Sequence, residues 1–216
     1  MNYEKKRKEM VKHLISEGRI YSEAVISAFG NVPREVFVPV SQKLSAYVDT
    51  PLSIGEGQTI SAPHMVAIMV EALDLKDGLN VLEVGAGSGY HAAIVGHLIK
   101  PSGHLYSIER ISSLANRARE NIRKVGLEDN VTIIEADGSL GLESHAPYDR
   151  IFVTCASPGI PPPFVKQLKE GGQLLIPSGS SYVSDLLLVT KKGGEIDEKN
   201  LGGCAFVPLR GRYGFK

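Results

Sequence analysis

The stretch Val81-Leu-Glu-Val-Gly-Ala-Gly-Ser-Gly-Tyr90 constrains this chain more than any other. A short apolar run breaks into glycines and resumes as a helical pattern through about Lys100. Strand, glycine turn and helix in that order bring backbone N–H groups at a helix N-terminus up to a ligand. Gly85, Gly87 and Gly89 are spaced G-x-G-x-G with Tyr90 in the sixth place, so the dinucleotide fingerprint G-x-G-x-x-G fails at its last position. No G-x-x-x-x-G-K-[ST] occurs, which removes a P-loop.

The pattern after the turn extends the same logic. His104–Ile108, Val131–Ile134, Arg150–Thr154 and Gly172–Ile176 read as short buried strands. Helical stretches run from Ser112 to about Val125 and from Pro163 to Leu168. Tyr182–Thr190 and Ala205–Leu209 read as strands with no helix between them. Alternating β and α of this kind predicts a doubly wound α/β domain, mainly parallel, with an antiparallel C-terminal edge. Upstream, residues 3–17 predict an amphipathic helix stopped by Gly18, and Ser22 caps a second helix through Phe29. Two prolines punctuate Val32–Pro39, and residues 40–60 have no clean period. The expected layout is a helical N-terminal lobe over residues 1–75 and an α/β domain over residues 76–216.

Charge narrows the partners. Lys+Arg and Asp+Glu both total 24 in 216 residues, so nothing pulls the chain toward nucleic acid or an acidic membrane. The cluster Lys5-Lys-Arg-Lys8 is interleaved with Glu4 and Glu9 and reads as a solvated helix face. Met1–Met10 lacks an apolar secretion core, and no apolar run is long enough to span a bilayer. Cys155 and Cys204 are far apart and suit a reducing cytoplasm; whether they pair is left open. The six histidines show no metal-ligand spacing, so no metal is expected.

Three carboxylates then suggest the ligand. Glu109 follows Gly89 by 20 residues, at the end of the second strand, where a carboxylate accepts ribose hydroxyls. Asp137-Gly138 ends the third strand, where a carboxylate and a close backbone meet an adenine edge. Glu83 puts a charge inside an apolar strand, a costly burial unless donors or a cation meet it. An α-ammonium group, reached directly or through water, satisfies it. A nucleoside carrying an amino acid fits all three: S-adenosyl-L-methionine.

The set Val81–Tyr90, Ile108-Glu109-Arg110, Glu135–Gly138 and Tyr148–Ile151 resembles class I methyltransferases. Val32–Pro39, Ile54–Ser61, Gly171–Gly179 and Phe206–Leu209 narrow the resemblance to protein-L-isoaspartate O-methyltransferases, over nearly the full length. It implies a seven-stranded Rossmann-like sheet and methyl transfer to the α-carboxyl of isoaspartyl residues in damaged proteins, giving S-adenosyl-L-homocysteine and repair through a succinimide. It also implies cofactor contacts from Gln58, Thr59, Ile60 and His64, from Glu83, Gly85, Gly87, Ser88 and Gly89, and from Glu109, Arg110, Asp137 and Gly138. Ile54, Gly55, Gly57, Val207 and Leu209 are the expected substrate side.

Ser61 is the candidate catalytic residue. It is placed to cap the helix that begins near Pro63, and to orient the attacking carboxylate by a hydrogen bond. A peptide carboxyl with a pKa of roughly 3.5–4 is already an anion, so no general base is needed. The two roles for Ser61 can coexist. Alternative readings are a class I methyltransferase acting on RNA or a small molecule, a non-catalytic cofactor-binding module, and, weakened by the glycine spacing, a dehydrogenase. A monomer with protein substrates, and neither nucleic acid nor membrane, is the expectation.

Overall fold

The computed structural model describes residues 2–180 and 183–216. Helices α1 (Tyr3–Ser16) and α2 (Glu23–Asn31) lead to a hairpin of β1 (Leu52–Gly55) and β2 (Gln58–Ile60), then α3 (Pro63–Ala72). The α/β region follows as β3 (Asn80–Val84), α4 (Tyr90–Ile99), β4 (His104–Glu109), α5 (Ser112–Lys124) and β5 (Val131–Glu135). It closes with β6 (Tyr148–Val153), α6 (Pro162–Gln167), β7 (Leu168–Gly179), β8 (Ser184–Lys192) and β9 (Glu195–Cys204).

The seven strands β3 to β9 form one sheet in the order β5-β4-β3-β6-β7-β8-β9. β3 pairs in parallel with both β4 and β6, while β7, β8 and β9 pair antiparallel. The chain changes direction of travel across the sheet between β3 and β6, which opens a crevice at the carboxyl ends of those strands. Register sets the edge of that crevice: Val84 lies level with Ile108 on one side and Val153 on the other. Residues just past these positions therefore converge.

Alternation along the strands divides the core. Val81, Leu105, Phe152 and Leu175 face a cluster built with α4, α5 and the N-terminal helices, while Leu82, Ile108, Ile151 and Leu174 face the α6 side. Met10, Phe29 and Met69 belong to the first cluster, so the N-terminal helices share its core with Ile94 and Leu114. At the N-terminus, Lys8 pairs with Glu4 at 2.6 Å and Lys5 with Glu9 at 3.9 Å along α1, as a solvated helix face should.

Several local expectations are corrected. The last strand is Glu195–Cys204, not 205–209. It is exposed along almost its whole length, so no buried face imprints a period of two on its sequence. Residues 205–209 instead clasp Ala156, whose N–H donates to Val207 O at 2.8 Å and whose carbonyl accepts from Leu209 N at 2.7 Å. β8 begins at Ser184; the expected start at Tyr182 lies outside the described residues. The aperiodic stretch 40–60 contains a short 3-10 helix, Val40–Ser45, and the β1–β2 hairpin, too brief for a periodic signal. The N-cap of α3 is Ala62, not Ser61. Its free N–H at His64 is met by Asp49 Oδ1 at 2.9 Å, a cap supplied from a distant segment rather than by the preceding hydroxyl.

Candidate active site

The glycine turn after β3 is shaped by contacts that a side chain would block. Gly85 has φ of +102°, and a Cβ there would fall 2.4 Å from Thr154 Oγ1. The turn hangs on β4, with Gly85 N and Ala86 N both donating to Ile108 O. Gly89, at φ +87°, is the N-cap of α4 and packs against Ala118 of α5. The N–H of Gly87 donates to Glu109 Oε2 at 2.9 Å, and that of Ile111 to Glu109 Oε1 at 3.0 Å. Each oxygen thus keeps acceptor capacity toward the crevice, as a pair of ribose hydroxyls requires.

A cleft of about 890 Å³ opens over this turn. The glycine-turn wall includes Gly85, Gly87 and Ser88, joined by Glu109, Arg110 and Gly138 from the next two strand ends. The facing wall is Gln58, Thr59, Ile60 and Ser61, and Val207 and Leu209 close the side. The hairpin carrying the facing wall is anchored to α5: Arg117 Nη1 donates to Ile54 O at 2.5 Å and Ser113 Oγ to Glu56 Oε1 at 2.8 Å. Ile54 is fully buried beneath, reaching toward Gly87, while Gly55 and Gly57 form the exposed hairpin tip. Ser61 Oγ makes no hydrogen bond among the described residues; its carbonyl accepts from Arg34 Nη2 at 2.8 Å.

Four expected cofactor contacts sit differently, one of them Gly89, which caps α4 and packs on Ala118 outside the cleft wall. His64 does not line the cleft: its Nδ1 lies 2.9 Å from Asp49 Oδ1, because the same carboxylate that caps α3 also draws in the ring. Asp137 is turned to the C-terminal segment, accepting from Ser139 N, Ser139 Oγ and, at 2.9 Å, Arg212 N, so only its neighbour Gly138 reaches the cleft. Glu83 is fully buried beneath the wall. Burial pushes its carboxyl up to about 8 against the hydrogen bond from Ser107, so the protonated form dominates at neutral pH rather than the anion the sequence suggested. Its Oε1 has no hydrogen-bond partner among the described residues.

The sequence reading missed Tyr90, His91, Thr154, Cys155 and Arg210 as wall residues. Only their adjacency to the glycine turn or to a strand end could have flagged them. Burial holds His91 at a pKa of about 3 and drives the Cys155 thiol up, with Glu109 and Glu83 adding to the second shift. His91 is therefore neutral and weakly basic, and Cys155 is no nucleophile. Among the described residues, no group of three His, Cys, Asp or Glu is placed to hold a metal.

These residues fit S-adenosylmethionine: a glycine cradle that a Cβ would fill, a doubly anchored carboxylate at the second strand end, and a buried unpartnered oxygen below. Fold and cleft define a class I S-adenosylmethionine-dependent methyltransferase. Residues 5–214 match the family protein-L-isoaspartate(D-aspartate) O-methyltransferase, and the chain belongs to it. It is 52% identical to the protein-L-isoaspartate O-methyltransferase of Methanothermobacter thermautotrophicus, covering 97% of each chain. Identity to the Hyperthermus butylicus enzyme of the same name is also 52%, over 97% of this chain and 90% of that one. A Plasmodium falciparum protein crystallised with S-adenosyl-L-homocysteine superposes with a TM-score of 0.82 at 30% identity, covering 94% of this chain and 98% of that one.

Proposed function

We infer that this protein transfers a methyl group from S-adenosyl-L-methionine to the α-carboxyl of L-isoaspartyl residues in proteins and peptides, and that the ester leads through a succinimide back toward aspartate. One observation carries the choice of acceptor. The cleft presents a free hydroxyl, Ser61, and offers no competent general base among its described residues: His64 faces Asp49, His91 is neutral with a pKa of about 3, and Glu109 is held by two N–H groups. An RNA or sugar hydroxyl would need its proton removed; a carboxylate has none to lose.

The bound cofactor supplies an electrophilic methyl group on a sulfonium. Glu109 and the glycine turn fix its nucleoside, with Gly138 giving the base a close backbone. Gln58, Thr59 and Ile60 cover it from the hairpin side and exclude water. Ser61 donates to the acceptor carboxylate and sets its line of approach, where geometry rather than proton transfer supplies the rate. Gly55, Gly57, Val207 and Leu209 leave room for a peptide main chain, which suits a damaged residue met in many sequence contexts. Residues 1–75 then supply the loop that meets both substrate and cofactor, and residues 76–216 the cofactor-binding sheet with Val207 and Leu209 on the peptide side.

On this reading the enzyme acts as a monomer in the cytoplasm on protein substrates, without nucleic acid or membrane. The zero net charge, the two free cysteines and the lack of any described helix long and apolar enough to cross a membrane support it. The test pairs two peptides, identical except for aspartate or isoaspartate at one position, with radiolabelled S-adenosylmethionine. Base-labile label on the isoaspartyl peptide alone is expected. Bound cofactor with no label on either peptide would overturn the acceptor and leave the fold and cofactor site standing.

A further inference from the structure

Arg34 is the largest fully buried side chain among the described residues, at 0% exposure, and it lies outside the cleft wall. Among the described residues no carboxylate forms an ion pair with it; Asp49 acts on it only at longer range. What meets the guanidinium instead is specific. Nε donates to Ala46 O at 2.8 Å and Nη2 donates to Ser61 O at 2.8 Å. The guanidinium carbon sits 4.7 Å over the ring of Tyr90, the first residue of α4 after the glycine turn. Nη1 has no partner. Burying a cation without a counter-ion is among the costlier arrangements a fold can keep, and core packing alone would be served by an apolar side chain of similar volume.

The three contacts have a common outcome. Ala46 belongs to the segment leading into the hairpin, Ser61 ends the facing wall, and Tyr90 stands beside the cofactor turn. A planar fork reaches two carbonyls and a ring face at once, which an ammonium cannot do. We propose that Arg34 is a positioning residue for methyl transfer, holding the Ser61 carbonyl against the cofactor side so that the Ser61 hydroxyl is fixed relative to the glycine turn. This rests on the acceptor role assigned to Ser61 above. Tyr90 is held independently by edge contacts from Phe29 at 6.5 Å and Phe37 at 5.6 Å, so the cofactor side does not need Arg34 to keep its shape.

The test uses Arg34→Lys, Ser61→Ala and the double variant, measuring kcat and KM on the isoaspartyl peptide and the Kd of S-adenosyl-L-homocysteine by calorimetry. Wild-type turnover of the peptide is measured first, and its failure would speak against the acceptor assignment alone. With turnover present, Arg34→Lys is expected to lower kcat by about 100-fold, the scale of a misplaced reacting group. The product Kd should stay within about threefold, and the double variant should lose little more than the worse single variant, because both changes act on one hydroxyl. Should the lysine variant not fold, Arg34→Gln removes the buried charge, keeps a donor, and is expected to show the same split. A kcat near wild type, parallel losses in kcat and product affinity, or losses that multiply in the double variant would each overturn the proposal.

Discussion

Ser107 Oγ donates to Glu83 Oε2 at 2.5 Å across the β3–β4 ladder, and among the described residues it is the sole hydrogen-bond partner of a carboxyl whose second oxygen has none. A group so placed holds its proton.

That sets the pH dependence of stability. The Glu83 pKa rises from its ordinary 4.5 to about 8 on folding, so the folded state binds the proton more tightly than the unfolded state. Its contribution is fully present below about pH 4.5 and is lost as pH rises toward 8. Glu83→Gln, neutral throughout, should flatten this decline, recovering a few kcal/mol near pH 8 relative to pH 5. Urea unfolding at a series of pH values checks it; parallel profiles for the two proteins would remove Glu83 as the cause.

Ser61→Ala separates function from stability. Loss of a hydrogen bond to a charged group costs about 1.5–3 kcal/mol, so kcat should fall roughly 10- to 100-fold. Because Ala62 is the N-cap and Ser61 Oγ is unbonded, the thermal midpoint should not move. A drop of several degrees would reinstate the cap reading.

Gly85→Ala is expected to be severe. Positive φ and a Cβ 2.4 Å from Thr154 Oγ1 together cost about 2–4 kcal/mol, with cofactor binding lost as the turn shifts. Adding Thr154→Gly removes the clash but not the backbone strain, so calorimetric rescue should be partial. Full rescue would mean that φ is irrelevant there.

Asp137→Ala should loosen the C-terminus. Burial alone would raise the pKa of Asp137, but hydrogen bonds from Arg212 N and Ser139, with Arg110 nearby, bring it below the ordinary value. Its stabilisation is therefore present above the unfolded pKa and lost as pH falls through the folded one. At neutral pH the variant should be cut by trypsin after Arg210 or Arg212 well before wild type. Equal cleavage rates would show that the segment is held by other contacts.

The parallel half of the fold was legible because β3, β4 and β6 are short, largely buried apolar runs, and glycines punctuate β3 and the start of β4. The glycine turn and Glu109 could be read for the same reason: local chemistry fixed their place. Ser61 as a cap could not be ruled out locally, since Asp49, 15 residues upstream of His64, takes that role only in three dimensions. Asp137 is likewise claimed by Arg212, 75 residues away. Arg34 lay within the Val32–Pro39 stretch that carries the resemblance but gave no signal of its burial, because a charged residue in a proline-flanked stretch reads as surface until its carbonyl partners are seen.

β9 has a further consequence. It is the outer strand of the large sheet, and an open strand edge invites any unfolded polypeptide to pair with it. Glu195, Asp197, Glu198 and Lys199 crowd that edge with charge, and Gly202-Gly203 weakens its far end. The charged rim disfavours edge-to-edge pairing with a second chain.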